Sequence, residues 1–446
     1  MFSDYIKKKI FAIIPIAFKT YLLKSDINRK IAIGAFWSLL GSFFSKGLLL
    51  LSSIIIARIL GPEIYGEAGI IRSTVNMFIA FAGMGLGLTA TKYIAEHKQS
   101  NYKKVLKIIT LSNIVAFFSG FIFSLLIIIF SSQISVQINA PHLMNEIKIG
   151  AVMLFFASLN GVQSGILAGF EDFKSIAKNN LFAGIISFFI QIISTYIWGL
   201  EGAIIGFGTN FFILWILNKY HISKFISSKE KIKIWDKSIL TEISILWKFS
   251  LPAVLAGIMV GPVTWICNAV LVSQPSGYIQ MGLFDAANLW CMSILFIPKS
   301  LSQIILPMLS SSLNSKSNYV IIFLKNLKLN VIISSSIFLI ILLLSQLITN
   351  FYGEGFHDLK TPLIILALST VLVAINSVIS SVIISQGKVW IGFFLNTLWA
   401  IILITTTYIS ISIYQLGAIG LAISYFTAYF IHTFFQSIYL KKFGFI

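Results

Sequence analysis

The chain has 446 residues, of which 57% are hydrophobic and 11% charged, and its 33 Lys/Arg against 15 Asp/Glu give a net charge of +18. A soluble protein of this length has no interior large enough to hide so much apolar side chain, and many windows exceed the roughly 20 apolar residues needed to cross a ~30 Å hydrocarbon core. The composition therefore excludes a soluble domain, and the basic excess reads as membrane topology and contact with lipid headgroups, with no nucleic acid as partner.

In chain order, residues 1–30 carry a short apolar run interrupted and flanked by lysines, which predicts a basic interfacial segment. Six spans follow at about 32–57, 67–91, 105–130, 147–170, 181–198 and 203–218, and six more at about 245–272, 282–307, 329–351, 362–385, 391–413 and 419–440. The expected organisation is a first six-helix bundle over 31–218, a linker over 219–244, a second bundle over 245–440 and a tail over 441–446. With the amino terminus inside, 27 Lys/Arg fall on the cytoplasmic side and only Arg58, Lys148 and Lys360 outside. Cations resist translocation, so both termini and the linker are expected in the cytoplasm.

Cys267 and Cys291 have no second cysteine at metal or redox spacing, and the five histidines are scattered singly. Nothing matches a phosphate-binding loop, a GxSxG elbow or an HExxH helix, so the expectation is a protein that is not an enzyme and needs no cofactor or metal.

The two sets of six spans repeat. Asn160 matches Asn376, Asn180 matches Asn396 and Gly66 matches Gly282, all at an offset of 216, and the Gly202-Ala203-Ile204 run matches Gly417-Ala418-Ile419 at 215. Six is even, so both copies enter the membrane the same way up and are related by an axis along the membrane normal. Glycines four apart, at 83/87, 165/169, 202/206 and 257/261, predict close helix contacts. Pro252, Pro262, Pro298 and Pro307 predict bends in spans seven and eight.

The string Ala57-Arg58-Ile59-Leu60-Gly61-Pro62-Glu63-Ile64-Tyr65-Gly66, followed by Gly83-Met84-Gly85-Leu86-Gly87 and Thr91-Lys92-Tyr93-Ile94-Ala95-Glu96, resembles the amino-terminal signature of polysaccharide and O-antigen (Wzx-type) flippases. These belong to the multidrug/oligosaccharidyl-lipid/polysaccharide (MOP) exporter superfamily. Gly282-Leu283-Phe284-Asp285-Ala286-Ala287 and Leu306-Pro307-Met308-Leu309-Ser310 are similar to that family's second-half pattern, and the likeness runs over residues 30–440. The resemblance implies an all-α membrane protein of about twelve helices in a V-shaped pair of bundles in the bacterial plasma membrane. The implied activity is flipping an undecaprenyl-diphosphate-linked oligosaccharide to the outer leaflet, with polysaccharide polymerase machinery as an implied partner. The rivals are a drug/cation antiporter of the same superfamily, whose cavity should be acidic, and a membrane glycan polymerase or ligase. The latter would need a large outer loop, and the longest here is about 131–146.

Ionisable groups at membrane depth cost roughly 2.5 to 3.5 kcal/mol each and so mark candidate sites. Lys46 lies near the middle of span one, on a face shared with Ser38, Ser42 and Ser53, which predicts a wet wall. Arg72 is in the outer third of span two with Asn76 one turn deeper, and a six-residue stagger between Lys46 and Arg72 would let a diphosphate bridge them. In the resembled family, cations of spans one, two and eight line the cavity, which adds Lys299; Lys46, Arg72, Lys299 and Asn76 are the candidate substrate-binding residues. Asn288, Met292, Phe296 and Gln303 lie near one stripe of span eight with Asp285 and Lys299. Asp285, the one carboxylate placed within a span, is the candidate for coupling to a proton or sodium ion.

Overall fold

The computed structural model describes residues 26–226, 242–244, 250, 259–296, 298, 309 and 316–442. The basic segment up to residue 25, most of the linker, Lys299, Gln303, Pro252 and Pro307 lie outside them, as do the side chains of Ser38 and Ser42. The described residues form helices joined by short turns, with no strand among them. In lipid each backbone N–H and C=O must be satisfied inside its own segment, and a helix does this.

The helix α1 (Asp26–Gly83) carries spans one and two. Run straight, its 58 residues would reach almost 90 Å, about three times the hydrocarbon thickness. It breaks at Gly61, whose φ of 74° and ψ of 169° suit a residue without Cβ, and Pro62 then supplies no N–H to continue the ladder. Span two is interrupted again at Met84 (φ 43°) and Gly85 (φ 63°) before α2 (Leu86–His97) completes it. The glycine pair at 83 and 87 therefore splits its roles. Gly83 ends a helix, and a Cβ on it would touch nothing within 4 Å among the described residues, whereas Gly87 packs on the backbone of Gly161.

Then come α3 (Tyr102–Ile129), the short α4 (Ser131–Gln137), α5 (Met144–Gly169) and α6 (Phe173–Phe225). Asn101 and Asp172 cap α3 and α6 by accepting from Lys104 N at 3.0 Å and Ser175 N at 3.1 Å. α6 holds spans five and six and breaks at Gly199 (φ 55°), just past Trp198. The second half contributes α7 (Val260–Val272), α8 (Gly277–Ile294), α9 (Lys316–Tyr352), α10 (Lys360–Ser385), α11 (Val389–Thr407) and α12 (Gly417–Lys442). Among the described residues, eight helical stretches are long and apolar enough to cross a membrane, two of them broken into pairs as above. The protein is a multi-pass membrane protein.

Within the first half α1, α5 and α6 pack on one another, and within the second α10 packs on α9 and α12. Predicted small-residue contacts at Gly87, Gly165 and Gly202 form where backbones cross, and Gly257 lies outside the described residues. A Cβ on Gly165 would lie 2.1 Å from Gly87 O, and one on Gly202 1.9 Å from Ser194 O. α1 is also the helix that reaches across, packing along α8 and α7.

Candidate functional site at the seam between the halves

The seam is built from glycine and from the repeat itself. On the second limb of α1, Pro62, Gly66 and Gly69 follow the three- and four-residue spacing that keeps them on one helix face. Their counterparts 216 residues on are Tyr278, Gly282 and Asp285, on α8. The two faces meet each other. A Cβ on Gly66 would fall 1.8 Å from Tyr278 O, and one on Gly282 2.0 Å from Pro62 O, the same contact made twice. Gly69 faces Asp285, 3.4 Å from a built Cβ. Such reciprocal contact is what a two-fold relation produces at its axis, so the pseudo-axis of the repeat passes between the second limb of α1 and α8.

One turn beyond Gly69, the Arg72 guanidinium donates to the Asp285 carboxylate. The two side chains are 17% and 22% exposed, and they join the halves. Arg72 also lies over the Tyr65 ring, 5.1 Å from its centroid, a cation–π contact from two turns back along the same limb. The buried Tyr65 hydroxyl is hydrogen-bonded to Ser53 on the first limb, and its ring meets Phe356 of the second half edge-on at 6.2 Å. Phe356 packs on Tyr352, whose hydroxyl accepts from Trp290 Nε1 at 3.2 Å. Two further ties cross the seam: Asn268 Nδ2 donates to Ser73 Oγ and Trp265 Nε1 to Thr74 Oγ1, each at 2.9 Å.

The Ser53–Tyr65 bond fixes the register of the two limbs of α1. Lys46 is seven residues before Ser53 and Arg72 seven after Tyr65, so in antiparallel limbs they stand level, each about 10 Å from the bond. The six-residue stagger expected from span boundaries is corrected by this register. Their heads nevertheless part, because helical side chains lean toward their own amino terminus and the limbs run oppositely. Arg72 leans toward the Gly61 end and meets Asp285. Lys46 leans away from it, and its Nζ lies 5.8 Å from the centroid of the Phe296 ring. Asp285 and Phe296 are eleven residues apart, roughly 16 Å along a helix, too far for one diphosphate to bridge both cations in this arrangement.

Lys46 is half-buried and does face span eight, on the stripe that holds Phe296. Asn76 is exposed one turn past Arg72, and Arg72 and Asp285, assigned separate roles from sequence, are partners. Ser53 does not extend a wet face, since it is buried on Tyr65. Sequence reasoning missed Tyr65 and Gly69. The signal was present in the 216 offset, which sets Gly69 opposite Asp285, and in Tyr65 lying two turns from Arg72.

A sequence-family model described as polysaccharide biosynthesis protein matches residues 55–333, which contain the glycine contacts and the Arg72–Asp285 pair of this seam. The chain belongs to that family. Among curated relatives, the EPS I polysaccharide export inner membrane protein EpsE of Ralstonia nicotianae is 27% identical over 207 residues, 45% of this chain and 46% of EpsE. EpsE of Ralstonia solanacearum is 26% identical over 208 residues, so the match spans about half the length of these relatives. An inward-facing multidrug resistance MATE transporter of the MOP superfamily superposes with a TM-score of 0.73 at 16% identity, covering 91% of this chain and 98% of that one. The lipid II flippase MurJ in an inward closed conformation gives 0.72 at 17%, covering 90% and 86%. A MOP superfamily transporter from Pyrococcus furiosus, described by the reversed polarity of its binding pocket, gives 0.67 at 15%, covering 94% and 97%. The fold is the MOP-type transporter fold, and the described residues that form it are helical with no strand.

Proposed function

We propose that this family member flips a polyprenyl-diphosphate-linked oligosaccharide, such as an O-antigen, capsule or exopolysaccharide repeat unit, between the leaflets of the bacterial plasma membrane. The observation that carries the reading is the pair of cations, Lys46 and Arg72, on facing limbs of the helix that lines the seam of a MOP-type fold. Moving such a molecule requires no bond chemistry. Its difficulty is the passage of a charged diphosphate and many hydroxyls through hydrocarbon, and cations on a hydrated wall lower that barrier while the polyprenyl tail stays in lipid. The two halves, 31–218 and 245–440 about the 219–244 linker, would rock about the pseudo-axis to expose this wall to either side. Asn76 and Lys299 are proposed to extend the wall, and a proton or sodium gradient to drive the cycle with Asp285 taking part. The family and the polysaccharide-export relatives support a glycan cargo over a drug.

The charge distribution orients the molecule with both termini cytoplasmic and the Gly61 end outward. In a background lacking Cys267 and Cys291, a cysteine at Glu354 should be labelled in intact cells by an impermeant maleimide, and one at Lys231 only after permeabilisation. Labelling of Lys231→Cys from outside would reverse the orientation. For transport itself, purified protein in proteoliposomes should make a polyprenyl-diphosphate-linked oligosaccharide in the inner leaflet accessible to an external lectin. Accessibility no faster than in protein-free vesicles, across imposed proton and sodium gradients of both signs, would contradict flipping.

A further inference from the structure

Arg72 is an anion seat that is already filled. Its occupant is the carboxylate of Asp285, from the other half of the molecule. A carboxylate and a phosphate present the same kind of charged oxygen to a guanidinium, and both are bound by the same donors. Resting on the flippase reading above, we propose that the diphosphate of the substrate binds Arg72 in exchange for Asp285, and that this exchange unfastens the two halves at the Gly61 end.

Three features make the exchange drive a movement. First, the pair is reachable: both side chains retain about a fifth of their exposure, 17% and 22%, and Asn76, one turn along from Arg72, is open. Second, Arg72 is held in place from its own half by the Tyr65 ring, itself tied to Ser53, so the guanidinium stays where it is when Asp285 leaves. Third, Asp285 has nowhere to go within the closed seam. It stands against Gly69, a residue with no side chain to offer, where the helices approach so closely that a Cβ on Gly66 or Gly282 would overlap a backbone carbonyl. A carboxylate that is only 22% exposed and loses its cation in that seam is left with too little water to compensate its charge. It is relieved when α8 draws away from the second limb of α1 and water enters. The closed form thus has a neutral pair across the axis, and the bound form has a diphosphate on Arg72 and a hydrated Asp285. An uncharged polyprenol cannot make the exchange, so the seam would open only for an anionic lipid.

The test is a distance across the seam, measured without reference to flipping. Spin labels at Val136 and Tyr414, exposed positions on the Gly61 side of the first and second halves, are placed in a background lacking Cys267 and Cys291. In reconstituted protein, adding a sugar-free polyprenyl diphosphate should convert the short-distance population to a longer one, and polyprenol at the same concentration should leave it unchanged. Asp285→Asn, which removes the charge that fastens Arg72, should show the longer population with no lipid added and little further change with it. An unchanged wild-type distribution under saturating diphosphate, with binding verified by co-purification, would overturn the exchange, as would an equal response to polyprenol. The wild-type titration stands if Asp285→Asn fails to fold. If the seam opens for the diphosphate but no lipid-linked oligosaccharide crosses the vesicle, the exchange holds and the flippase reading fails; if oligosaccharide crosses while the seam stays shut, the reverse is true.

Discussion

Arg72 and Lys46 stand level on the two limbs of one helix, yet their surroundings differ in kind. Arg72 is fastened three ways, by a carboxylate from the opposite half, by an aromatic ring from its own limb and by that ring's bond to Ser53. Lys46 meets the opposite half at the Phe296 ring, whose face attracts a cation. Similar charges on the same wall therefore do different things. The cation at the pseudo-axis joins the halves until something displaces its partner, and the cation farther from the Gly61 end lies against an aromatic face of the opposite half. Substitutions that harm the seam should appear first as loss of stability, and substitutions at Lys46 as loss of transport alone.

The largest effect is expected where backbone meets backbone. Gly66→Val and Gly282→Val each put a side chain within about 2 Å of a carbonyl across the axis, and the seam has to open to admit it, at about 3 kcal/mol. Both proteins should lose thermal stability in detergent by a similar amount, because they make the same contact from opposite sides. A large loss at one and none at the other would contradict the two-fold seam. Next is Arg72→Ala, which leaves Asp285 without its cation and should cost about 2 kcal/mol, below the value for a fully buried pair because both groups keep some solvent. Thermal unfolding of the single and Asp285→Asn double variants tests it: the second change should recover most of the loss from the first.

The repeat supplies a sharper contrast between the halves. Asn160 accepts from Asn218 Nδ2 at 2.8 Å, and Asn218 Oδ1 accepts from Asn179 at 2.8 Å, so the first-half node is closed by its own amides. Its counterpart Asn376 is 6% exposed, and neither side-chain polar atom has a hydrogen-bond partner among the described residues. Asn218→Ala should therefore cost about 1–3 kcal/mol by removing the acceptor of the buried Asn179 amide and a donor to Asn160, while Asn376→Ala should be close to neutral. Equal losses in thermal stability would show that the two nodes are alike after all.

Much of the fold was legible. Apolar run length set the spans, and the offset of 216 set the repeat, because both are properties of residues in order along the chain. The reversals inside α1 and α6 were signalled by Gly61-Pro62 and Gly199. The break at Met84 and Gly85 was not, since a glycine-rich run reads equally as a close contact or as a helix end, and only the packing partner decides. At the site, membrane depth singled out Lys46, Arg72 and Asp285 as residues needing an explanation, and Lys299 lies outside the described residues. The pairing of Arg72 with Asp285 escaped because it depends on which helices cross at the axis. The stagger of the cations escaped because span boundaries blur by several residues, whereas one hydrogen bond between Ser53 and Tyr65 fixes the register.

Lys46 carries the smallest expected change in stability and the most direct consequence for function. Lys46→Arg, Lys46→Gln and Lys46→Ala should all reach the membrane at wild-type abundance and unfold within about 1 kcal/mol of the parent. Surface glycan, measured alongside protein level in a strain deleted for the native copy, should be retained by Lys46→Arg and lost in Lys46→Gln and Lys46→Ala. Normal glycan delivery by Lys46→Gln at normal abundance would contradict a cationic wall that handles a diphosphate.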